Sequence, residues 1–261
     1  MLPIKQADVL AGLEALEQQI SPAVIAEDHL PWFKQVSGKH PVLLSAPHAC
    51  CHLRDGAIKM AEEYTAAMAC LVARLTGCSA IFTTHQSSED PNWQPGGEYK
   101  NAIREMVESK GIKFLIDIHG MTNRHHIGVA IGTINGRACR SVDIIEPFED
   151  EGFQTTQAQT LPPMLTAKEG VPVSSSIGAA EAQHWRRMVI DHPRFTGGVK
   201  SQTVTRFAAE QLGILSVQIE LASVARIGYR PKTQDWPCDY RGNPEAITAA
   251  VNALCRLAKK L

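Results

Sequence analysis

Residues 113–119, KFLIDIH, decide the fold class of this 261-residue chain. The run is almost continuously apolar, which is typical of a strand that is buried on both faces of a sheet. Near its end, Asp117 and His119 alternate with isoleucines and therefore share one face of the strand. The segment predicts a central strand that presents polar side chains close to its carboxyl end.

Similar apolar runs and helical patterns alternate along the chain. Further strands are predicted at residues 41–46 (PVLLSA), 79–84 (SAIFTT), 127–133 (IGVAIGT) and 215–221 (LSVQIEL). Helices are predicted near residues 6–19, 58–75, 98–109, 155–168, 179–188, 203–212 and 244–260. This alternation predicts one α/β domain over residues 1–261, with a mixed, mainly parallel sheet flanked by helices.

Composition argues against several classes of protein. The formal net charge is −1, and no basic run with interleaved aromatic residues indicates a nucleic-acid partner. No apolar run approaches the roughly 18 residues that a membrane span requires. The acidic, amphipathic N-terminal segment does not resemble a secretory signal, and the seven cysteines lack paired CxxC spacing. We therefore expect reduced thiols and a cytoplasmic location.

Polar residues follow four of the predicted strands. His48 follows residues 41–46, His85 follows residues 79–84, and Glu220 lies near the end of residues 215–221. In α/β sheets, ligands bind at the carboxyl ends of the strands. The convergence of these residues with His119 predicts an active site at that edge of the sheet.

The histidines indicate a metal site. A catalytic zinc ion uses three protein ligands, drawn from histidine and carboxylate, and keeps one open position. His48 and His119 are two candidates, and Asp117 is placed to orient His119. On the predicted helix, Glu62 falls on a small apolar edge where a carboxylate is costly without a cation, so it is the preferred third ligand. Glu63, on the side toward water, is the alternative.

A carboxylate on an apolar strand indicates a general base. Glu220 lies between Ile219 and Leu221, and partial burial should raise its pKa. Gln218 lies two residues earlier on the same face of the strand. We expect Gln218 and Asp117 to lie next to the metal ligands without binding the metal themselves. The expected role of Glu220 is to activate water.

Five short motifs together resemble the N-formylglutamate amidohydrolases. They are SAPHA (45–49), DPN (90–92), LIDIHGM (115–121), FTGG (195–198) and SVQIEL (216–221). That family belongs to a wider group of zinc-dependent deacylases and carboxypeptidases with a phosphorylase/hydrolase-like α/β fold. The resemblance implies hydrolysis of the amide bond of a small carboxylate-bearing N-acyl amino acid, such as N-formylglutamate. It also implies one zinc ion and assigns its ligands to His48, Glu62 and His119, with Glu220 acting on the water.

The chain departs from the family pattern around the substrate. The family has glycine where this chain has Cys50, and it follows the DPN-like asparagine with arginine, where Trp93 stands here. Asn92 and an arginine are expected to bind the substrate carboxylate. Arg206 is favoured because the family often carries an arginine downstream of its Gly-Gly pair. The other candidates are Arg54, Arg124 and Arg226.

Two other hypotheses stay open. A cysteine hydrolase would use Cys50 or Cys51 with His48 or His52 as base. Because the glycine and the arginine of the family pattern are replaced by Cys50 and Trp93, the chain could instead be a non-catalytic metal- or ligand-binding protein on the same scaffold. The crowded stretch HACCH does not predict a four-ligand metal site, because adjacent side chains point apart in an extended backbone.

Overall fold

An eight-stranded sheet forms the centre of the computed structural model, which describes residues 4–27, 31–140, 142–162, 181–233 and 238–261. The strands are Ser21–Ile25 (β1), Phe33–Val36 (β2), His40–Ala46 (β3), His52–Arg54 (β4), Ala57–Lys59 (β5), Cys78–Thr83 (β6), His85–Gln86 (β7), Phe114–Met121 (β8), Val129–Gly132 (β9), Gln154–Thr155 (β10), Arg187–Ile190 (β11) and Leu215–Ala222 (β12). The α-helices are Gln6–Glu17 (α1), Thr65–Thr76 (α2), Glu98–Lys110 (α3), Val142–Glu149 (α4), Val204–Gln211 (α5) and Pro244–Lys260 (α6). Short 3₁₀ turns occur at Asn123–His125, Ala158–Thr160, Glu181–Arg186 and Ser223–Ala225.

The central sheet is mainly parallel. Its strand order is β10-β11-β9-β12-β8-β3-β6-β2. Only the β9–β12 and β2–β6 pairs are antiparallel within this sheet. Two small sheets, β1–β7 and β4–β5, lie apart from it. The predicted mixed, mainly parallel α/β fold is confirmed.

Helices cover both faces of the sheet, which explains the nearly continuous apolar strands. On β3, Val42 and Leu44 pack into the cluster that includes α1, α2, α4 and α6, whereas Leu43 packs into the cluster that includes α3 and α5. Successive side chains of a strand point to opposite faces, so each face needs its own apolar set. None of the helices in the described ranges is both long enough and apolar enough to cross a membrane.

The helix predicted over residues 58–75 begins later than expected. The structure has the β4–β5 hairpin first, and α2 starts only at Thr65. The hairpin turns at Asp55 and Gly56, whose φ angles are 52° and 76°. Asp-Gly is a favoured pair for a two-residue hairpin turn that requires positive φ at both positions. Glu62 therefore lies in the segment between the hairpin and α2, not on a helical face.

Two other predicted helices are also corrected. Residues 155–168 contain the end of β10 and the turn at 158–160, and residues 163–168 lie outside the described ranges. Of residues 179–188, positions 181–186 form a 3₁₀ turn and the chain then enters β11, while residues 179–180 are not among those described. Met188 and Val189 are buried and pair with β9, so sheet pairing overrides the local helical pattern.

Candidate functional site

Strand register assembles one side of the candidate site. On the neighbouring parallel strands β8 and β12, His119 lies opposite Glu220, and Asp117 lies opposite Gln218. His48 follows the end of β3, which pairs with β8 on its other side. The predicted residues at the ends of β3, β8 and β12 therefore lie close together in the structure, whereas His85 lies in β7, which pairs with β1 outside the central sheet.

The carboxylate of Glu62 lies between the two predicted histidine ligands. Its Oε1 is 3.1 Å from His48 Nδ1, and its Oε2 is 2.9 Å from His119 Nδ1. The backbone N–H of Gly120 also donates to Oε2, at 2.9 Å. One ligand-type atom from each of the three side chains lies within 4.8 Å of the others. The three residues are thus close enough to hold one metal ion.

Backbone hydrogen bonds hold Glu62 in this position although it belongs to no regular element. Its N–H donates to the carbonyl of His48 at 2.8 Å. The hydroxyl of Thr65, the first residue of α2, donates to the carbonyl of Glu62 at 2.7 Å. The ligand is therefore tied to the end of β3 on one side and to the start of α2 on the other.

Glu17, at the end of α1, supports the same segment. Its Oε1 accepts from the N–H of Tyr64 at 2.8 Å, and Tyr64 has a positive φ of 65°. The other oxygen, Oε2, is buried and has no hydrogen-bond partner among the described residues. Burial raises the pKa of Glu17 to about 7, although the bond from Tyr64 works in the opposite direction. Although the residue as a whole is half-buried, its carboxyl group is poorly solvated.

A second carboxylate stands behind each histidine. Asp90 Oδ1 lies 2.8 Å from His48 Nε2, and Asp117 Oδ2 lies 3.2 Å from His119 Nε2. The hydroxyl of Thr205 on α5 donates to the same oxygen of Asp117 at 3.2 Å. Carboxylates on the outer nitrogens of ligating histidines fix the ring orientation and the tautomer. Asp117 has the position that the sequence predicts, and Asp90 is a further member that only the DPN motif signals.

The electrostatics of the cluster keep Glu62 ionised. Burial alone would raise the pKa of Glu62, but His119 and His48 outweigh it and hold that pKa well below its ordinary range. Burial likewise opposes the charged form of His119, whereas Asp117 and Glu62 raise its pKa well above the usual value. The carboxylate is therefore in the form that a metal ion requires.

These residues fit a divalent metal. Two imidazole Nδ1 atoms facing one carboxylate form a donor set that is typical of hydrolytic zinc sites. A second group, made of His48, His52 and Asp90, is also compact and buried. In that group, however, the guanidinium of Arg54 binds Asp90 and already supplies a positive charge. The first group is therefore the better candidate.

Glu220 is placed beside the ligand group without being part of it. Burial raises its pKa to about 7, and the charge of Glu62 acts in the same direction. The side-chain amide of Gln218 donates to Glu220 Oε1 at 2.5 Å. A carboxyl group with a pKa near neutrality can both accept and return a proton.

An open cavity of about 320 Å³ lies over these groups. The sequence-predicted residues that line it are His48, Glu62, Asn92, His119, Gln218 and Glu220. Arg54, one of the arginines considered from the sequence, also lines it. So do Trp93, Arg194 and residues 195–198, which carry the FTGG motif. Arg194 was not among the candidates from the sequence.

Two predicted substrate-binding residues differ in their placement. Asn92 lines the cavity, but its Nδ2 lies 2.9 Å from His119 Nε2 and its Oδ1 accepts from the N–H of Val204 at 2.8 Å. Arg206 does not line the cavity, and its Nε donates to Glu210 at 2.7 Å. The structure thus brings Asn92 to the site and leaves Arg206 outside it.

Glu63, the alternative ligand, points elsewhere. It forms an ion pair with Arg230 at 3.1 Å, and its carbonyl accepts from Arg226 at 2.5 Å. It belongs to neither metal-compatible group among the described residues. The geometry therefore favours Glu62.

The two cysteines beside His48 do not form a nucleophilic site. Cys50 and Cys51 are buried, and neither lines the cavity. Burial raises the pKa of the Cys50 thiol to about 12. A nucleophilic cysteine needs a lowered pKa and access to substrate, so the geometry disfavours a cysteine hydrolase.

Comparisons with known proteins give distant similarities of fold. No protein-family model matches the chain, and no curated protein matches it significantly. A bacteriophage poly-gamma-glutamate hydrolase structure is 14% identical, covers 94% of this chain and 93% of its own, and has a TM-score of 0.40. The structure of a gene product of Agrobacterium tumefaciens is 12% identical, covers 87% of this chain and 92% of its own, and has a TM-score of 0.47. Pyroglutamyl peptidase I of Bacillus amyloliquefaciens is 13% identical, covers 86% of this chain and 96% of its own, and has a TM-score of 0.34. The function proposed for this chain rests on its own site.

Proposed function

We propose that this protein is a zinc-dependent amidohydrolase that removes the acyl group from a small N-acyl amino acid, with N-formylglutamate as the substrate implied by the sequence resemblance. One observation carries the proposal. The Nδ1 atoms of His48 and His119 face the two oxygens of Glu62, and Glu220 lies beside them on the neighbouring strand. Membership of the N-formylglutamate amidohydrolase family and a cytoplasmic location are parts of the same proposal.

In this proposal His48, Glu62 and His119 hold one divalent metal ion. A zinc ion held by these residues would supply a lowered pKa for a bound water and a polarising charge for the acyl oxygen. The outer carboxylates, Asp90 and Asp117, keep the imidazole rings oriented through their Nε2 atoms. The two histidine ligands are thus positioned by the sheet and by two further carboxylates, and Glu62 is positioned by the segment that precedes α2.

Glu220 moves the proton. Its ionised form accepts a proton from the attacking water as the oxygen of that water bonds to the acyl carbon. The same carboxyl group returns the proton to the nitrogen as the carbon–nitrogen bond breaks, which yields a carboxylic acid and an amine. Gln218 binds Glu220 Oε1 and leaves Oε2 for the water.

The test is a hydrolysis assay on purified protein of measured metal content. N-formyl, N-acetyl and N-succinyl amino acids would be tested for amine release, with and without a chelator. Glu220→Gln should keep its zinc and lose at least about 100-fold in kcat, since positioned proton transfer contributes about 10²- to 10⁴-fold. Glu63→Gln is the matched control, because Glu63 pairs with Arg230 away from the cavity.

Full activity in zinc-loaded Glu220→Gln would contradict the proposed mechanism. A wild-type protein that binds zinc but hydrolyses none of these compounds would instead indicate the alternative, a metal- or ligand-binding protein on the same scaffold. Resistance to a chelator combined with sensitivity to a thiol reagent would support cysteine chemistry.

A further inference from the structure

A second cavity adjoins the open cavity over Glu62 and Glu220, which we call the cleft. Arg194 lines both. The second cavity measures about 220 Å³, and the described residues that line it include His125, His192, Leu161 and Pro162. No acidic side chain is among its described lining residues. Arg194 lines both cavities and therefore marks the boundary between them.

Arg194 lies in a tight turn. The N–H of Phe195 donates to the carbonyl of His192 at 2.7 Å, and the N–H of Arg194 lies 3.2 Å from His192 Nδ1. Pro193 lies between these residues and restricts the backbone φ angle. The backbone position of Arg194 is thus set by an ordered turn, and its exposed side chain extends from that turn.

The FTGG segment fixes this turn to the rest of the fold. The carbonyl of Thr196 accepts from the N–H of Ile134 at 2.8 Å, and the carbonyl of Gly197 accepts from the hydroxyl of Thr203 at 2.6 Å. Gly197 has a φ of 77°, and a Cβ on Gly132 would lie only 2.3 Å from its nitrogen. Glycines at these two positions allow the close approach that holds the wall of the cleft.

Arg194 differs from the other arginine that lines the cleft. The guanidinium of Arg54 binds Asp90, so its charge is neutralised within the protein. Arg194 has no carboxylate partner among the residues that the structure describes. An arginine of this kind can bind a carboxylate through two parallel hydrogen bonds.

The second cavity has an aromatic wall. His125 and His192 both line it, and their ring centroids are 5.8 Å apart. Phe195, which lines the first cavity, packs against both rings, with centroid distances of 4.8 Å to His125 and 5.2 Å to His192. Burial lowers the pKa of His125 to about 4, and the charges of His192 and Arg194 add to that effect. His125 is therefore a neutral ring at neutral pH, and with Leu161 it forms a surface suited to an apolar or aromatic group.

We propose that Arg194 binds a substrate carboxylate and that the cavity of His125 and His192 takes the group that follows it. This inference rests on the proposed amidohydrolase function and names its substrate class. The substrates are short N-acyl peptides in which an acidic residue is followed by an apolar or aromatic residue. The acyl group is transferred to water in the part of the cleft that Glu62 and Glu220 line. The amine product extends past Arg194 into the second cavity.

Steady-state kinetics would compare N-formylglutamate, N-formylglutamine and N-formylglutamyl-phenylalanine. The wild type should prefer the peptide and discriminate against the glutamine compound. Arg194→Gln should raise KM for the two glutamyl substrates by about 10- to 100-fold with little change in kcat, and it should lose the discrimination against glutamine. Leu161→Trp, which fills the second cavity, should raise KM for the peptide alone, and Arg206→Gln is the matched control.

Calorimetric binding of glutamyl-phenylalanine to zinc-loaded protein separates this inference from the catalytic proposal. If the wild type hydrolyses nothing but binds this dipeptide at least about 10-fold more tightly than Arg194→Gln, the hydrolase proposal fails and the subsite stands. Equal affinities in the two proteins, or no binding by the wild type, would overturn the inference whatever the activity.

Discussion

Replacing Glu17 by glutamine should make the protein more stable at alkaline pH. The carboxyl group of Glu17 is poorly solvated, and its one described hydrogen-bond partner is the N–H of Tyr64. Its pKa is raised from 4.5 to about 7, chiefly by burial. The folded state therefore prefers the protonated form, and glutamine imitates that form because it keeps an oxygen that can accept from Tyr64.

The size of the effect follows from the two pKa values. When the folded pKa is higher than the unfolded pKa, the stability due to the group is fully present below the unfolded value. It is lost as the pH rises through the folded value. With values of 4.5 and about 7, the loss between about pH 5.5 and about pH 8.5 is about 2 kcal/mol in the free energy of unfolding.

Urea denaturation across this pH range would measure the difference between wild type and Glu17→Gln. The variant should gain about 2 kcal/mol relative to the wild type from the acidic to the alkaline end. Glu14→Gln, an exposed position on the same helix, is the matched control and should run parallel to the wild type. If the curve of Glu17→Gln is also parallel to the wild type, burial of this carboxyl group does not destabilise its ionised form.

Two further changes test how the site is supported. Asp90→Asn should weaken zinc binding by about 10- to 100-fold, because it removes the negative charge beside His48 Nε2. Competition with a chromophoric chelator would measure the affinity for zinc. An unchanged affinity would show that Asp90 does not affect zinc binding by His48. Gly132→Ala should lower the free energy of unfolding by about 1–3 kcal/mol, because its Cβ would lie 2.3 Å from the nitrogen of Gly197. Gly96→Ala, where no atom lies within 4 Å, is the control, and equal urea midpoints for the two variants would refute this account of the loop.

The sheet could be predicted from the sequence because both of its faces are buried. The apolar runs at β3, β6, β8, β9 and β12 needed no long-range information. Residues of β3, β6 and β8 pack into the helical clusters on both faces of the sheet, and β9 and β12 contribute apolar side chains to the larger of these clusters. The carboxyl ends of these runs also identified the polar residues that are candidates for the site. His48 and His119 were found in this way, and the register that sets Glu220 beside His119 follows from parallel pairing of β8 with β12.

Glu62 was selected by an argument whose structural premise was wrong. The prediction of a helix over residues 58–75 did not take account of the Asp55-Gly56 pair, which forms the turn of the β4–β5 hairpin. The carboxylate is costly in its surroundings because it lies between two histidines, not because it lies on an apolar helical edge. The Asp-Gly pair was the signal that would have corrected the helix boundary.

Asp90 and Arg194 could not be placed from local pattern. Both lie in irregular segments, where neither a helical nor a strand period relates a side chain to its neighbours. Asp90 approaches His48 across 42 residues of sequence, and such contacts are set by loop packing. The motifs DPN and FTGG marked these loops as special, but their partners became visible only in three dimensions.

The three proposed ligands differ in what holds them. His48 follows β3 and His119 lies within β8, near its end, so the sheet sets their backbone positions. Glu62 lies on no strand. Besides its own bonds to His48 and Thr65, its segment is held by two contacts, the bond from Tyr64 to Glu17 and the bond from Arg226 to the carbonyl of Glu63. Because a ligand set is only as well ordered as its least constrained member, metal affinity should be more sensitive to these two supports than to packing changes beneath the strands. The carboxyl group of Glu17 therefore links the pH dependence of stability to the part of the site that supplies the carboxylate ligand.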